Sequence, residues 1–155
     1  MDPVRHDSEG LERMDEAECR EFLRAHRLGR VAVIQYERPL VFPVNYVVDE
    51  ETVVFRTARG SKLTAAGREA PVAFEVDDVD VDLRSGTSVL VHGTLSEITA
   101  TEERALASSL PLDTWAPGER DHLVRITPQW LTGRRISEMT GPPTHSGAHD
   151  REDIA

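Results

Sequence analysis

The chain has 155 residues, of which 39% are apolar, which suits one domain around one core and is too apolar for a fully disordered chain. Asp and Glu number 28 against 18 Lys and Arg, a formal charge of −10. Such a field repels phosphate backbones and anionic lipid, so nucleic-acid and membrane partners are not expected, and any anion site must be built locally. A single cysteine, Cys19, excludes an internal disulfide, a CxxC pair and a cysteine-based zinc site. No apolar run approaches the ~20 residues of a spanning helix, and MDPVRHDSEG has no apolar signal-peptide core. A cytoplasmic setting is expected.

Residues 1–12 read as a flexible polar arm, and 13–137 as the folded domain. Asp15 and Glu18 form a capping-box pair that opens a helix running to about His26, with Cys19, Phe22 and Leu23 on one face and Gly29 as its stop. Strands follow at Arg30–Tyr36 and Leu40–Val48, flanking a turn-sized Glu37-Arg38-Pro39 gap, so a hairpin is predicted. Pro43 cannot donate to a ladder, which places an edge or a bulge there. Thr52–Thr57 is a further strand, Ser61–Glu69 a short helix, and Val72–Val76 the next strand. Asp78, Asp80 and Asp82 alternate with Val79, Val81 and Leu83, strand periodicity with one solvated face. Ser88–Ile98 is a long strand in which Gly93 marks a bulge or a close approach. A second capping box, Thr99 with Glu102, opens a helix ending near Ser109. His122–Thr127 and Trp130–Ile136 read as the last two strands, and 138–155 as a disordered tail. The fold class is therefore mainly β with flanking helices. Six or seven short antiparallel strands of this kind hide their edges by closing into a barrel or sandwich.

Chemistry concentrates at 54–63. A strand ends, Gly60 lets the chain turn, and a helix begins at Ser61. Arg56 and Arg59, the hydroxyls of Thr57 and Ser61, and the chain's one lysine, Lys62, gather within seven residues. Cations and hydroxyls at a helix start suit a phosphate, although an ordinary helix start with solvated arginines has the same composition. His92 beside Gly93 reads as a hydrogen-bonded barrel histidine with a ligand contact as the alternative. Trp115 and Trp130 read as packing anchors. His145 and His149 lack a third ligand, so no metal site is expected. No Gly-x-Ser-x-Gly elbow supports hydrolase chemistry.

Several blocks together resemble one family in order and spacing. They are Leu28-Gly29-Arg30-Val31-Ala32, Pro43-Val44-Asn45-Tyr46, Phe55-Arg56-Thr57 and Gly60-Ser61-Lys62-Leu63. Ala73-Phe74-Glu75-Val76-Asp77, Ser88-Val89-Leu90-Val91-His92-Gly93 and Gly133-Arg134-Arg135 complete the set. The chain is similar, over about 12–137, to the pyridoxamine 5'-phosphate oxidase-like FMN-binding proteins. That resemblance implies a split β-barrel and a homodimer with FMN at the subunit interface. By it, Arg56, Thr57, Ser61 and Lys62 match the phosphate-binding stretch, and Pro43, Val44 and Asn45 the strand beside the isoalloxazine ring. Gly86-Thr87-Ser88 stands where many relatives have Gly-Trp-Ser, and an Arg-Leu-x-Pro ending is absent, so pyridoxal phosphate synthesis is not expected. The expectation is a flavin-dependent oxidoreductase acting on a small molecule, with no catalytic residue assigned. The alternatives are a carrier of a flavin, deazaflavin or haem, and a cofactor-free interaction barrel.

Overall fold

The computed structural model describes residues 11–112 and 122–137. Seven strands and three helices follow in chain order: β1 (Glu12–Met14), α1 (Glu16–Ala25), β2 (Leu28–Gln35), β3 (Arg38–Asp49), β4 (Thr52–Thr57), α2 (Ser61–Gly67), β5 (Pro71–Asp80), β6 (Ser85–Glu97), α3 (Thr101–Ser108) and β7 (His122–Ile136). All the pairings are antiparallel, in the order β1-β7-β4-β3-β2-β5-β6, and β6 pairs again with β7. That last ladder closes six strands into a barrel, and β1 is appended to the far end of β7. Barrel closure removes most of the open edges that a seven-stranded sheet would otherwise present.

The strands form because apolar residues alternate with polar ones, and one face of each turns inward. Val31 and Val33, Val44 and Tyr46, Val53 and Phe55, Phe74 and Val76, Val89 and Val91, and Val124 and Ile126 fill the interior. The Tyr46 ring meets Phe74 edge-on at 5.0 Å, and its hydroxyl donates to the Leu23 carbonyl at 2.7 Å, tying the end of α1 to the barrel. Burial pushes the Tyr46 phenol well above its ordinary range, so it stays a donor. The α1 capping box is present: Asp15 accepts from the Glu18 amide at 2.9 Å and Glu18 from the Asp15 amide at 2.8 Å.

The differences from sequence expectation are local. α1 ends at Ala25 with His26 as its cap, and Gly29 lies inside β2 rather than stopping the helix. β1, for which the sequence predicts no strand, begins at the last residue of the expected arm, Glu12, and is held by Gly133, Arg134 and Arg135 of β7. The two final strands are one 15-residue strand. It passes Pro128 because the register with β6 shifts at His92/Gly93, so that His92 faces Trp130 and Gly93 faces Pro128. Gly93 is obligatory at that bulge, since a Cβ there would run into the Thr127 backbone carbonyl. The Asp/Val alternation ends at Asp80, beyond which 81–84 form the turn into β6, and Val79 and Val81 are exposed along with the aspartates.

Two outer flanks of the barrel differ. Behind β3, β4 and β7, Val47, Val54, Ile98 and Leu123 form a second small core covered by Leu110 and Leu112. On the outer face of β2, β5 and β6 the register lines up Val41, Ala32, Ala73, His92 and Trp130 in one row across five strands. Val41, Trp130 and nearby Ile34 are exposed there.

Candidate functional site

The site is built where β3 and β4 part. Their ladder runs from Asp49–Thr52 to Tyr46–Phe55 and stops. Continuing that register would set Asn45 against Arg56 and Val44 against Thr57. Beyond Tyr46, however, β3 stays with β2, Pro43 facing Arg30, while β4 stays with β7, Thr57 facing His122. The expected edge at Pro43 is thus an open ladder edge on the β4 side. The two stretches singled out in the sequence, 43–45 and 56–62, line opposite sides of this split.

Alternation along β4 sends neighbouring side chains to opposite faces. Thr57 is 1% exposed and its hydroxyl donates to the Ala58 carbonyl at 3.1 Å. Arg56 is half-buried on the outer side with its cross-strand partner Leu123. On β3, Val44 is buried toward the interior, Pro43 is exposed, and Asn45 points the other way from Val44, with its Nδ2 enclosed away from solvent.

After Thr57 the chain turns through Gly60, whose φ of +144° lies outside the range of ordinary side-chain-bearing residues. Nothing lies within 4 Å of a Cβ built there, so conformation rather than crowding requires glycine. Ser61 begins α2. The Gly60 carbonyl accepts both the Thr64 amide at 2.9 Å and the Thr64 hydroxyl at 3.1 Å, which closes the first turn. α2 has only seven residues, shorter than the 61–69 expected, so its dipole is small and the cations carry the electrostatics. Ala65 and Ala66 of α2 insert into the barrel core and fix the helix. From α2, Lys62 reaches over the ring of Phe42 on β3, with Nζ 4.1 Å from the centroid. The fold therefore brings Lys62 to the residue preceding Pro43, across 20 positions of sequence.

Other candidates fall elsewhere. His92 stacks on Trp130 at 4.3 Å and 20°, on the open outer flank. Cys19 is buried, and burial followed by Glu18 pushes its thiol up, the opposite of a reactive thiolate. No group of three or more His, Cys, Asp or Glu side chains placed to hold a metal occurs among the described residues. Trp115, His145 and His149 lie outside the described residues. An open groove of about 500 Å³ runs beside Thr87 at the opposite end of β6, bordered by Asp78, Asp80, Ser85 and Arg135. Sequence reasoning missed the pair His122–Glu97, joined at 2.8 Å next to Thr57. Neither residue stands in a motif, and strand register alone brings them together.

Comparison with known proteins agrees with this architecture. The family model described as Pyridoxamine 5'-phosphate oxidase matches residues 15–135. A protein described as an FAD binding protein from Mycobacterium smegmatis is 35% identical, covers 80% of this chain and 98% of its own, and superposes with a TM-score of 0.66. A crystal structure from Corynebacterium glutamicum is 31% identical over 90% of this chain and 99% of its own, with a TM-score of 0.72. The uncharacterized protein Rv0080 of Mycobacterium tuberculosis is 34% identical over 128 residues, 79% of this chain and 84% of its own length.

Proposed function

The chain belongs to the pyridoxamine 5'-phosphate oxidase family, its fold being the split barrel of that family, and on that footing we propose that it binds FMN at the β3–β4 split and works as a flavin-dependent oxidoreductase on a small molecule. The observation that carries the reading is the parting of the two strands at Tyr46–Phe55, with Lys62 bridging back to Phe42. Lys62 and Arg56 are assigned to the phosphate as charge partners, with Thr57 and Ser61 as hydroxyl donors. The Thr57 hydroxyl gives its proton to Ala58, so it must release that carbonyl before donating to a ligand. Pro43, Val44 and Asn45 are assigned to the ring. An enclosed amide nitrogen on Asn45 and an open strand edge suit the polar rim of a flat heterocycle, so the residues present fit the group.

A bound flavin supplies hydride or electron transfer; the chain supplies anchoring, orientation and a local field. The positive corner offsets the repulsion that a chain of charge −10 exerts on a phosphate. FAD in place of FMN is the second reading, favoured by the Mycobacterium smegmatis relative. The assembly we propose is a homodimer in which a second copy covers the outer flank carrying Ile34, Val41 and Trp130.

The test is the visible spectrum of the purified protein and the mass of the flavin released on denaturation. Lys62→Ala is expected to weaken FMN binding about tenfold or more, and Arg13→Ala, at an exposed position of β1, to leave it unchanged. Equal flavin retention by the two variants overturns the assignment of Lys62. A colourless protein that ignores added FMN and FAD overturns the function.

A further inference from the structure

Thr57, His122 and Glu97 lie on the inner side of the barrel at the end where the split opens. Thr57 and His122 are directly paired across β4 and β7, so their side chains leave the sheet on the same face, with Cβ atoms ~5 Å apart. Glu97 pairs with Val124, one of the inward-facing residues of β7, and so points inward as well. Its carboxylate meets His122 Nδ1 at 2.8 Å, and both side chains are about one-third exposed. The inward positions further along these strands, Leu95, Val124 and Ile126, are apolar and fully buried. An acid–imidazole pair at the mouth is therefore a departure from the pattern of the strands that carry it.

We propose that His122, held by Glu97, is a further contact for the phosphate group bound at the split, made by the imidazolium form. This rests on the flavin-phosphate reading of the site and extends it by one residue and one proton. A carboxylate accepting from Nδ1–H fixes the ring orientation, so that in the protonated ring Nε2–H is left as a donor. The neutral ring would present a lone pair at Nε2 to an anionic oxygen; the protonated ring presents a hydrogen. Binding then takes up one proton from solvent, which ends on His122.

Among the described residues Glu97 is the charged group in contact with the ring. On β4 its partner Thr57 does not titrate, and Arg56 leaves on the opposite face. On β7 itself, Arg125 also lies on that other face, where it meets Asp49 at 3.8 Å and Glu103 at 3.5 Å. The cations of the β4–α2 connection, Arg59 and Lys62, keep their charge throughout the range in which imidazole titrates. A gain in affinity at the lower pH therefore reports His122, because partial protonation of the phosphate, whose second pKa is about 6, acts in the opposite sense.

The experiment compares equilibrium binding of FMN and riboflavin, which lacks the phosphate, at about pH 6.5 and about pH 8.5. In the wild type FMN is expected to bind several-fold tighter at the lower pH and riboflavin equally at both. His122→Gln should flatten the FMN dependence and weaken FMN about tenfold at the lower pH, with riboflavin unchanged. Glu97→Gln, which loosens the hold on the ring, should weaken FMN at the lower pH and leave riboflavin unchanged. An FMN dependence that survives His122→Gln in a variant of unaltered circular dichroism overturns the inference and leaves the flavin reading intact. Equal losses for FMN and riboflavin do the same. Should His122→Gln fail to fold, Glu97→Gln decides by the loss of FMN affinity at the lower pH or its absence. Should the wild type bind neither flavin, the flavin reading itself fails. The His122 ring resonances are then titrated with inorganic phosphate: a raised midpoint sustains the anion contact, and an unmoved one ends it.

Discussion

The two outer flanks of the barrel carry similar side chains to opposite ends. Behind β3, β4 and β7, the chain covers its own valines and isoleucine with Leu110 and Leu112, and Ile98 is 3% exposed. Across β2, β5 and β6, nothing among the described residues covers the row from Val41 to Trp130, and Ile34 is 64% exposed. The difference shows that barrel closure alone satisfies only the inner face of each strand. Each outer face needs a cover from elsewhere, and among the described residues the segment after β6 covers one of them. In the proposed assembly the second copy provides the other.

The comparison can be broken by truncating one isoleucine on each flank. Ile98→Ala removes a buried side chain and is expected to cost about 2–4 kcal/mol in denaturant unfolding. Ile34→Ala should stay within about 0.5 kcal/mol for the monomer. Equal losses would mean that the open flank is already packed. A smaller effect sharpens the dimer proposal. Trp130→Glu places a charge in the exposed row and is expected to raise the dimer dissociation constant about tenfold or more in sedimentation equilibrium, while the monomer melts as before. No change in dissociation would remove this flank from the interface.

The smallest effect concerns Glu75, on the open flank beside Arg30. Arg30 meets Glu75 at 3.2 Å and Asp77 at 2.8 Å. Burial first, and then Asp77, push the Glu75 carboxyl up from its ordinary value, against the pull of Arg30. A carboxyl raised in the folded state favours the protonated form, so its contribution is full below the unfolded carboxylate range and is lost as pH rises through the raised value. The melting temperature of Glu75→Gln relative to wild type should therefore climb as pH rises above the ordinary carboxylate range. If a second copy buries this flank, the climb steepens with protein concentration. A flat difference would show that Glu75 ionises as freely folded as unfolded.

Much of this fold was legible in the residues, for identifiable reasons. Thr52–Thr57 and the α1 capping box rest on local chemistry and appear where the sequence places them. β1 did not show, because three residues carry no periodicity and its partners lie some 120 positions away. β7 read as two strands because Pro128 cannot donate to a ladder; the bulge opposite it is a property of the β6–β7 pairing, not of either strand alone. Of the candidate site, the stretch from Arg56 to Lys62 draws notice by composition and Pro43 to Asn45 by resemblance alone, whereas the split between them depends on where the β3–β4 ladder stops. The Glu97–His122 pair was out of reach for the same reason. No spacing rule joins two residues 25 apart in sequence.

β7 holds β6 along one edge and β4 and β1 along the other. This strand is thus the seam of the cylinder. During vectorial synthesis a nascent chain can form the β2–β3 hairpin and the β5–β6 ladder early, yet the hoop stays unfastened until residue 136 has left the ribosome. Non-local pairing of this kind folds slowly, on a scale of milliseconds to seconds. Until then Val53, Phe55, Val89 and Val91 stand uncovered, a window in which chaperone capture or self-association competes with completion.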